Sequence, residues 1–127
     1  MRLILVRHAK AASGEPDEAR PLTSEGHEAA LALGEQLGSL RPDAVLSSPL
    51  LRARQTAGPI AAVAGVELEI DGRLAPGATL EELRATVAGH GETVVVVGHE
   101  PDCGLIVEAL TGAPHGFRPG DYAEVEL

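Results

Sequence analysis

The sequence predicts an α/β fold, namely a three-layer α/β/α sandwich with a mostly parallel central sheet. Two continuous apolar runs, residues 3–6 and 93–97, have the character of strands that are covered on both faces. Segments with apolar residues at helical spacing alternate with these and other strand-like runs, which is typical of strands connected by helices. The length of 127 residues fits one domain, and we expect residues 1–127 to form it.

The composition restricts the classes of function. A formal net charge of −9 argues against nucleic acid or an anionic membrane surface as a partner. The single cysteine, Cys103, excludes an internal disulfide and a cysteine-based zinc site. No segment approaches the roughly 20 apolar residues of a membrane helix, and we find no signal peptide before the first strand. We therefore expect a cytoplasmic protein that binds any anionic substrate through local arginines.

The first helix is predicted after a polar loop over residues 10–20. Thr23 is suited to cap a helix that runs from Ser24 to about Ser39. Three glycines weaken this helix, and we expect them to allow close packing on the sheet. They are Gly26, Gly34 and Gly38. Helical spacing predicts a core face of Ala30, Leu33, Leu37 and Leu40.

A second strand, over residues 44–46, precedes the second helix. We interpret Ser48 and Pro49 as the N-cap and first position of that helix, because serine accepts a backbone hydrogen bond there and proline needs no donor. Pro59 lies inside the helical pattern, so we expect a kink or a restart at that point. The buried face is predicted to consist of Ala53, Ala57, Ile60 and Ala64.

The second half of the chain continues the alternation. Residues 66–70 alternate apolar and acidic side chains, as expected of an edge strand, and a threonine-capped helix is predicted over residues 80–88. The buried strand over 93–97 is followed by a helix that starts near Pro101, and residues 121–127 predict a second edge strand. The apolar side of the last helix is predicted to consist of Leu105, Ile106, Ala109 and Leu110.

Two strand ends deliver polar side chains to one edge of the predicted sheet. Arg7 and His8 follow the first buried run, and His99 follows the second. Ligands bind at the carboxyl ends of the strands in open α/β sheets. Arg52, near the start of the second helix, can point back at the same edge. Arg54 lies about 200° further round that helix and cannot share its direction.

These candidates have the chemistry of a phosphate site rather than of a metal site. Clustered guanidinium groups favour a tetrahedral oxyanion, because arginine presents forked donors to phosphate, and Arg20 from the loop is a further candidate. A neutral histidine can attack phosphorus while a second histidine stabilises the transition state. His8 and His99 could instead bind a metal, but there is no HExxH motif or cysteine cluster, and the arginines would repel a cation. We expect no metal and no cofactor.

Three motifs occur in order along the chain. They are Arg7-His8, Ser48-x-x-x-Arg52-Ala53-x-x-Thr56-Ala57, and Gly98-His99. In these motifs the chain resembles the histidine phosphatase superfamily, which includes the phosphoglycerate mutases. The resemblance implies a phosphoglycerate mutase-like fold, no cofactor, and a phosphohistidine intermediate on His8. The phosphate pocket that it implies consists of Arg7, Arg52 and His99.

Within that superfamily the chain is most similar to the small SixA-type phosphohistidine phosphatases. The similarities are its short length, Arg-Pro-Leu-Thr at residues 20–23 and Gly-His-Glu-Pro at residues 98–101. No large lid insertion separates the Arg52 helix from the His99 strand, whereas mutase-like relatives carry a general acid there. An alkoxide leaving group needs a proton donor, but the imidazole of a phosphohistidine can leave as a neutral ring. We therefore expect a metal-independent phosphatase that acts on phosphohistidine of a partner protein.

Two other functions stay open. Glu100 is the one carboxylate beside the predicted site, and as a general acid it would permit a broad or small-molecule phosphomonoesterase. It is equally well interpreted as a charge at the N-terminus of the helix that starts near Pro101. The third function is a non-catalytic phosphate-binding module. The presence of His8 counts against it, because binding alone needs no nucleophile.

Overall fold

The computed structural model describes residues 1–127 and has the predicted α/β architecture. The strands are Arg2–Arg7 (β1), Ala44–Ser47 (β2), Leu68–Ile70 (β3), Thr93–Gly98 (β4) and Tyr122–Glu126 (β5). The helices are Ser24–Gly38 (α1), Leu51–Ala64 (α2), Leu80–Val87 (α3) and Asp102–Thr111 (α4). Short 3-10 turns lie at Asp17–Ala19 and Gly72–Leu74. None of the helices combines the length and the apolar character that crossing a membrane requires.

The central sheet has the strand order β3-β2-β4-β1-β5, and only the pairing of β1 with β5 is antiparallel. β1 and β4 are neighbours, and Arg7 lies opposite Gly98 in their register. The amide of His8 also donates to the carbonyl of Gly98 at 3.0 Å, which ties the two strand ends together. The residues that follow, His8 and His99, therefore leave the sheet at the same edge.

Helices cover both faces of the sheet, and alternating residues of β1 contribute to two separate cores. Leu3 and Leu5 pack with side chains of α3 and α4 on one face. Ile4 and Val6 pack with side chains of α1 and α2 on the other face. Since successive strand residues point to opposite faces, a strand covered on both sides needs a continuous apolar run. The three-layer prediction is confirmed.

Two glycines of α1 bring this helix against α2 and not against the sheet. A Cβ at Gly34 would lie 2.8 Å from the carbonyl oxygen of Pro59, and one at Gly38 would lie 2.6 Å from Cβ of Val63. A Cβ at the third glycine, Gly26, would lie 2.1 Å from the backbone oxygen of Lys10 in the polar loop. The expected packing partner was therefore wrong. Because α1 and α2 share one face of the sheet, the closest approach lies between the two helices.

The helix α2 begins two residues later than the sequence predicts. Its N-cap residue is Leu50, so Ser48 and Pro49 are not the N-cap and the first helical residue. The hydroxyl oxygen of Ser48 accepts instead from the amide of Leu50 at 3.2 Å, in the turn before the helix. The helix continues past Pro59 to Ala64 without a restart.

Three residues that were predicted for apolar helix faces are exposed. Leu40 lies beyond the end of α1 and is 46% exposed. Leu105 is 60% exposed, and Ala109 is exposed as well. Leu105 and Ala109 are exposed because α4 presents a different side to the sheet from the one predicted. The residues that it buries are Asp102, Cys103, Gly104, Ile106 and Val107.

Candidate active site

The candidate site lies where β1 and β4 end. His8 and His99 follow these strands, and their ring centroids are 5.3 Å apart with an interplanar angle of 59°. His8 is half-buried, whereas His99 is only 3% exposed. The two imidazole rings therefore lie side by side, tilted and not stacked, as the meeting of the two strand ends predicts.

The ring of His8 is neutral and leaves one nitrogen free. Its Nδ1 lies 2.7 Å from the carbonyl oxygen of Ala9, and because a carbonyl only accepts, we assign the proton to Nδ1. Nε2 then carries the lone pair. Burial lowers the pKa of His8 below its ordinary value of 6.5, although the bond to Ala9 opposes this. The charges of Arg52, Arg7 and Arg20 lower this pKa further, since they repel a second positive charge.

His99 is also neutral, and a serine holds its ring. Its Nε2 lies 2.7 Å from the hydroxyl oxygen of Ser48, while its Nδ1 is buried without a hydrogen-bond partner. A buried N–H group without an acceptor costs more free energy than a buried nitrogen lone pair without a donor. We therefore assign the proton to Nε2, which donates to Ser48. Burial, and next the neighbouring His8, lower the pKa of His99 to about 4. At neutral pH the site therefore holds one imidazole acceptor and one imidazole donor.

Arg7 is anchored by the loop between α4 and β5. Its Nη1 donates to the carbonyl oxygen of Phe117 at 2.8 Å, and Phe117 is itself buried. The amide of Gly120 donates to the carbonyls of both Arg7 and His8 at 3.1 Å. The Nε of Arg7 is buried and has no hydrogen-bond partner within the protein. The loop thus fixes the end of β1 and leaves the buried Nε–H of Arg7 without an acceptor.

Arg52 lies in the first turn of α2, with a side chain only 8% exposed. Its Nη1 donates to the backbone oxygen of Asp17 at 2.9 Å, and its Nη2 donates to the carboxylate of Asp17 at 3.2 Å. One turn on, the hydroxyl of Thr56 accepts from the amide of Ala9 at 3.0 Å and donates to the carbonyl of Arg52. These bonds hold α2 against the segment that follows β1. Arg54 is exposed and donates to the carbonyl of Pro49, so it points away as predicted.

Arg20 reaches the site region through the same aspartate. Its Nη1 donates to the Asp17 carboxylate at 3.0 Å, and its Nε donates to the carbonyl of Ala12 at 2.8 Å. The two arginines lower the pKa of Asp17 below its ordinary value, Arg20 more strongly than Arg52, so the carboxylate is ionised.

Asp17 and Ser48 are the two residues that the sequence interpretation missed. Asp17 lies three residues before Arg20, a spacing that favours an ion pair in a helical turn. Ser48 opens the motif that contains Arg52, and this could have indicated a role at the site instead of a helix cap.

The carboxylate of Glu100 is occupied by the backbone. Its two oxygens accept from the amide of Gly104 at 2.6 Å and from the amide of Phe117 at 3.2 Å. These bonds join the start of α4 to the loop that anchors Arg7. This arrangement agrees with the interpretation of Glu100 as a residue of the helix N-terminus.

The charges at this edge favour an anion although the whole chain carries −9. Three guanidinium groups and two neutral imidazoles lie at this edge together with the carboxylates of Asp17 and Glu100. No group of three or more histidine, cysteine, aspartate or glutamate side chains is placed to hold a metal ion. The donors present suit a tetrahedral oxyanion, because arginine pairs with phosphate in a forked geometry.

The chain is similar in sequence to one large family and to bacterial relatives of unassigned function. A family model for the histidine phosphatase superfamily (branch 1) matches residues 3–76, more than half of the chain. An uncharacterized protein of Picosynechococcus sp. is 38% identical over 93% of this chain and 78% of its own length. An uncharacterized protein of Mycobacterium tuberculosis is 43% identical over 83% of this chain and 69% of its own length.

Solved structures extend the similarity to the fold. The protein histidine phosphatase SixA complexed with tungstate has a TM-score of 0.86 at 28% identity, with 100% of this chain and 88% of that chain covered. The SixA protein of Agrobacterium tumefaciens has a TM-score of 0.82 at 30% identity, with 97% and 89% covered. A mycobacterial glucosyl-3-phosphoglycerate phosphatase, with a TM-score of 0.78, is 20% identical over 97% of this chain and 88% of its own, and shares the fold.

Proposed function

This chain belongs to the histidine phosphatase superfamily, in its SixA-type branch, and from that premise we propose that it hydrolyses phosphohistidine on a partner protein without a metal ion. The observation that carries the proposal is the state of His8. Its Nδ1–H is bound by the carbonyl of Ala9, so the lone pair on Nε2 is free to attack phosphorus.

The proposed reaction has two displacements at phosphorus. Nε2 of His8 forms a bond to phosphorus while the bond to the substrate imidazole breaks, and the substrate ring, already protonated from solvent on its other nitrogen, leaves as a neutral imidazole. Water then attacks the phosphohistidine, the bond from His8 to phosphorus breaks, and inorganic phosphate and one proton are released. His8 recovers its lone pair. Splitting hydrolysis in this way replaces one difficult step with two easier ones.

The other residues of the site would hold the phosphoryl group. Arg7 has a buried Nε–H without a partner, which a phosphoryl oxygen would satisfy. Arg52 and Arg20 each keep N–H groups beyond those bound to Asp17, and His99 offers its Nε2–H in exchange for Ser48. Donors fixed in a poorly hydrated site stabilise the charge of the transition state with little reorganisation.

The leaving group supports phosphohistidine as the substrate class. Both carboxylate oxygens of Glu100 already accept backbone hydrogen bonds, and only β3, a short turn and α3 separate α2 from β4. The site therefore offers no evident acid for an alkoxide leaving group. A histidine imidazole needs no acid from the protein, since solvent protonates its other ring nitrogen near neutral pH and it then leaves as a neutral ring.

We expect a defined order of substrates when phosphate release is measured in EDTA. A phosphohistidine-bearing protein and a nitrophenyl phosphate, both with good leaving groups, should react, and an alkyl phosphate should react at least about 100-fold more slowly, since general acid catalysis is worth roughly that much. EDTA should have no effect. Rapid turnover of the alkyl phosphate would instead favour a small-molecule phosphomonoesterase, and Glu100→Gln would then test Glu100 as the acid. Loss of activity in EDTA would contradict the metal-independent mechanism.

The pH profile should show a nucleophile that stays neutral in mild acid. Since the pKa of His8 is lowered, the acid limb of kcat/KM should lie below pH 6.5, because protonation removes the attacking lone pair. The phosphate group of a substrate titrates in the same pH range and would complicate the kinetic profile. NMR titration of the histidine ring nitrogens needs no substrate and therefore checks the pKa of His8 directly. His99 should titrate near pH 4, and the His8→Ala and His99→Ala variants assign their signals among those of the five histidines. A His8 midpoint at or above 6.5 would contradict the neutral nucleophile.

A further inference from the structure

Asp17 joins the two arginines that come from different parts of the chain. It lies in the short turn between β1 and α1, beside Arg20, whereas Arg52 lies on α2. One carboxylate oxygen accepts from Arg20 at 3.0 Å and the other accepts from Arg52 at 3.2 Å. The carboxylate is thus a bridge between two guanidinium groups, and without it two positive charges would face each other.

The environment of this bridge differs from that of an ordinary surface ion pair. The side chain of Asp17 is 60% exposed, but that of Arg52 is only 8% exposed. Exposed pairs contribute little because water screens them and their side chains move freely. Here one partner is already fixed in the protein, so the carboxylate can fix the other.

We propose that Asp17 is a positioning residue of the phosphatase site. Its carboxylate holds Arg20 in place beside Arg52, so that both guanidinium groups can bind one phosphoryl group. The proposal rests on the phosphate-binding role of the arginines proposed above. Arg20 comes from a loop and has only one other anchor, the carbonyl of Ala12. The orientation of Arg20 therefore depends on the Asp17 carboxylate more than that of Arg52, whose side chain is nearly buried and also donates to the backbone oxygen of Asp17.

The donor count is compatible with this role. A guanidinium group has five N–H groups, and Arg52 gives two of them to Asp17. Arg20 gives one to Asp17 and one to Ala12. Each arginine therefore keeps three N–H groups that can bind phosphoryl oxygens while the bridge stays intact. A carboxylate that blocked the site would instead have to leave before phosphate could bind.

The test is a double-mutant cycle of Asp17→Ala and Arg20→Ala, with Glu18→Gln as the matched control. Glu18 is an exposed carboxylate in the same turn that makes no ion pair, so its variant reports the loss of one negative charge alone. Two quantities are measured, namely kcat/KM on nitrophenyl phosphate and the dissociation constant of tungstate, which mimics phosphate. The backbone oxygen of Asp17 still accepts from Arg52 in every variant, which keeps the turn attached.

We expect Asp17→Ala to lower kcat/KM by about 10- to 100-fold and to weaken tungstate binding, since a small displacement of a binding group has effects of that order. In the Arg20→Ala background, Asp17→Ala should lower kcat/KM less than about threefold, because the arginine that Asp17 positions is already absent. Glu18→Gln should be close to the wild type. Asp17→Glu should restore part of the activity.

The proposal would be overturned if Asp17→Ala and Arg20→Ala had additive effects on kcat/KM. It would also be overturned if Asp17→Ala bound tungstate more tightly than the wild type, since Asp17 would then compete with the anion for the arginines. Tungstate binding needs no turnover. If the wild type binds tungstate but never forms a phosphohistidine, the proposed function fails while the role of Asp17 is still decided.

Discussion

Phosphate release by the His8→Ala variant is expected to fall to the background of the assay, a loss of about 10⁴-fold or more. Removing an enzyme's nucleophile costs this much or more elsewhere, because the remaining groups can bind the substrate but cannot form the covalent intermediate. The measurement is phosphate release from a phosphohistidine protein, together with trapping of the acid-labile phosphoryl enzyme. The variant should still bind tungstate, since the arginines remain.

The matched control for this experiment is His27→Ala, which removes an exposed histidine of α1. It should retain full activity. Thermal unfolding of both variants shows whether the fold is intact. We expect it to be intact, because the hydrogen bond from His8 to Gly98 is made by the backbone amide and not by the imidazole. Turnover by His8→Ala within tenfold of the wild type would remove His8 as the nucleophile.

The Arg52→Ala variant is expected to lose about 10²- to 10³-fold in kcat/KM, which corresponds to roughly 3–4 kcal/mol of transition-state stabilisation. The reason is that Arg52 is nearly buried and is held in place by two hydrogen bonds to Asp17, so its removal takes away a positive charge that is already fixed beside the site. Arg52→Lys should recover only part of the loss, since an ammonium group lacks the planar fork of donors.

Arg54→Ala is a demanding control for Arg52, because it changes the same residue type on the same helix two positions away. Arg54 is exposed and donates to the carbonyl of Pro49, so its loss should change kcat/KM less than twofold. Equal losses in the two variants would mean that charge near α2 matters and not the contacts of Arg52. An unchanged rate in Arg52→Ala would contradict its place in the phosphate pocket.

The sequence predicted those parts of the fold and site that depend on regular strands. β1 and β4 are continuous apolar runs, and parallel neighbours end at one edge, so Arg7, His8 and His99 had to come close. Arg52 followed from its position near the start of a helix. For Arg7, His8 and His99 the prediction needed only the period of the backbone and the edge at which parallel sheets bind ligands, whereas the place of Arg52 in a phosphate pocket also rested on the resemblance to the histidine phosphatase superfamily.

The remaining features depend on contacts that a pattern does not encode. Asp17 lies in an irregular loop, where no periodicity indicates the direction of a side chain. Ser48 matched a helix cap equally well, and only the position of His99 shows that its hydroxyl has another partner. The partner of Gly34 and the exposed side of α4 around Leu105 depend on the placement of neighbouring helices.

The bond between Arg7 and the carbonyl of Phe117 spans 110 positions of the chain. Both strands that pair with β1 lie late in the chain, and Arg7 has no anchor on a nascent chain until the segment with Phe117 and Gly120 has been synthesised. Partly translated or prematurely terminated chains would thus display the histidine without its fixed arginine. We therefore expect the proposed activity only from chains whose synthesis has passed Phe117.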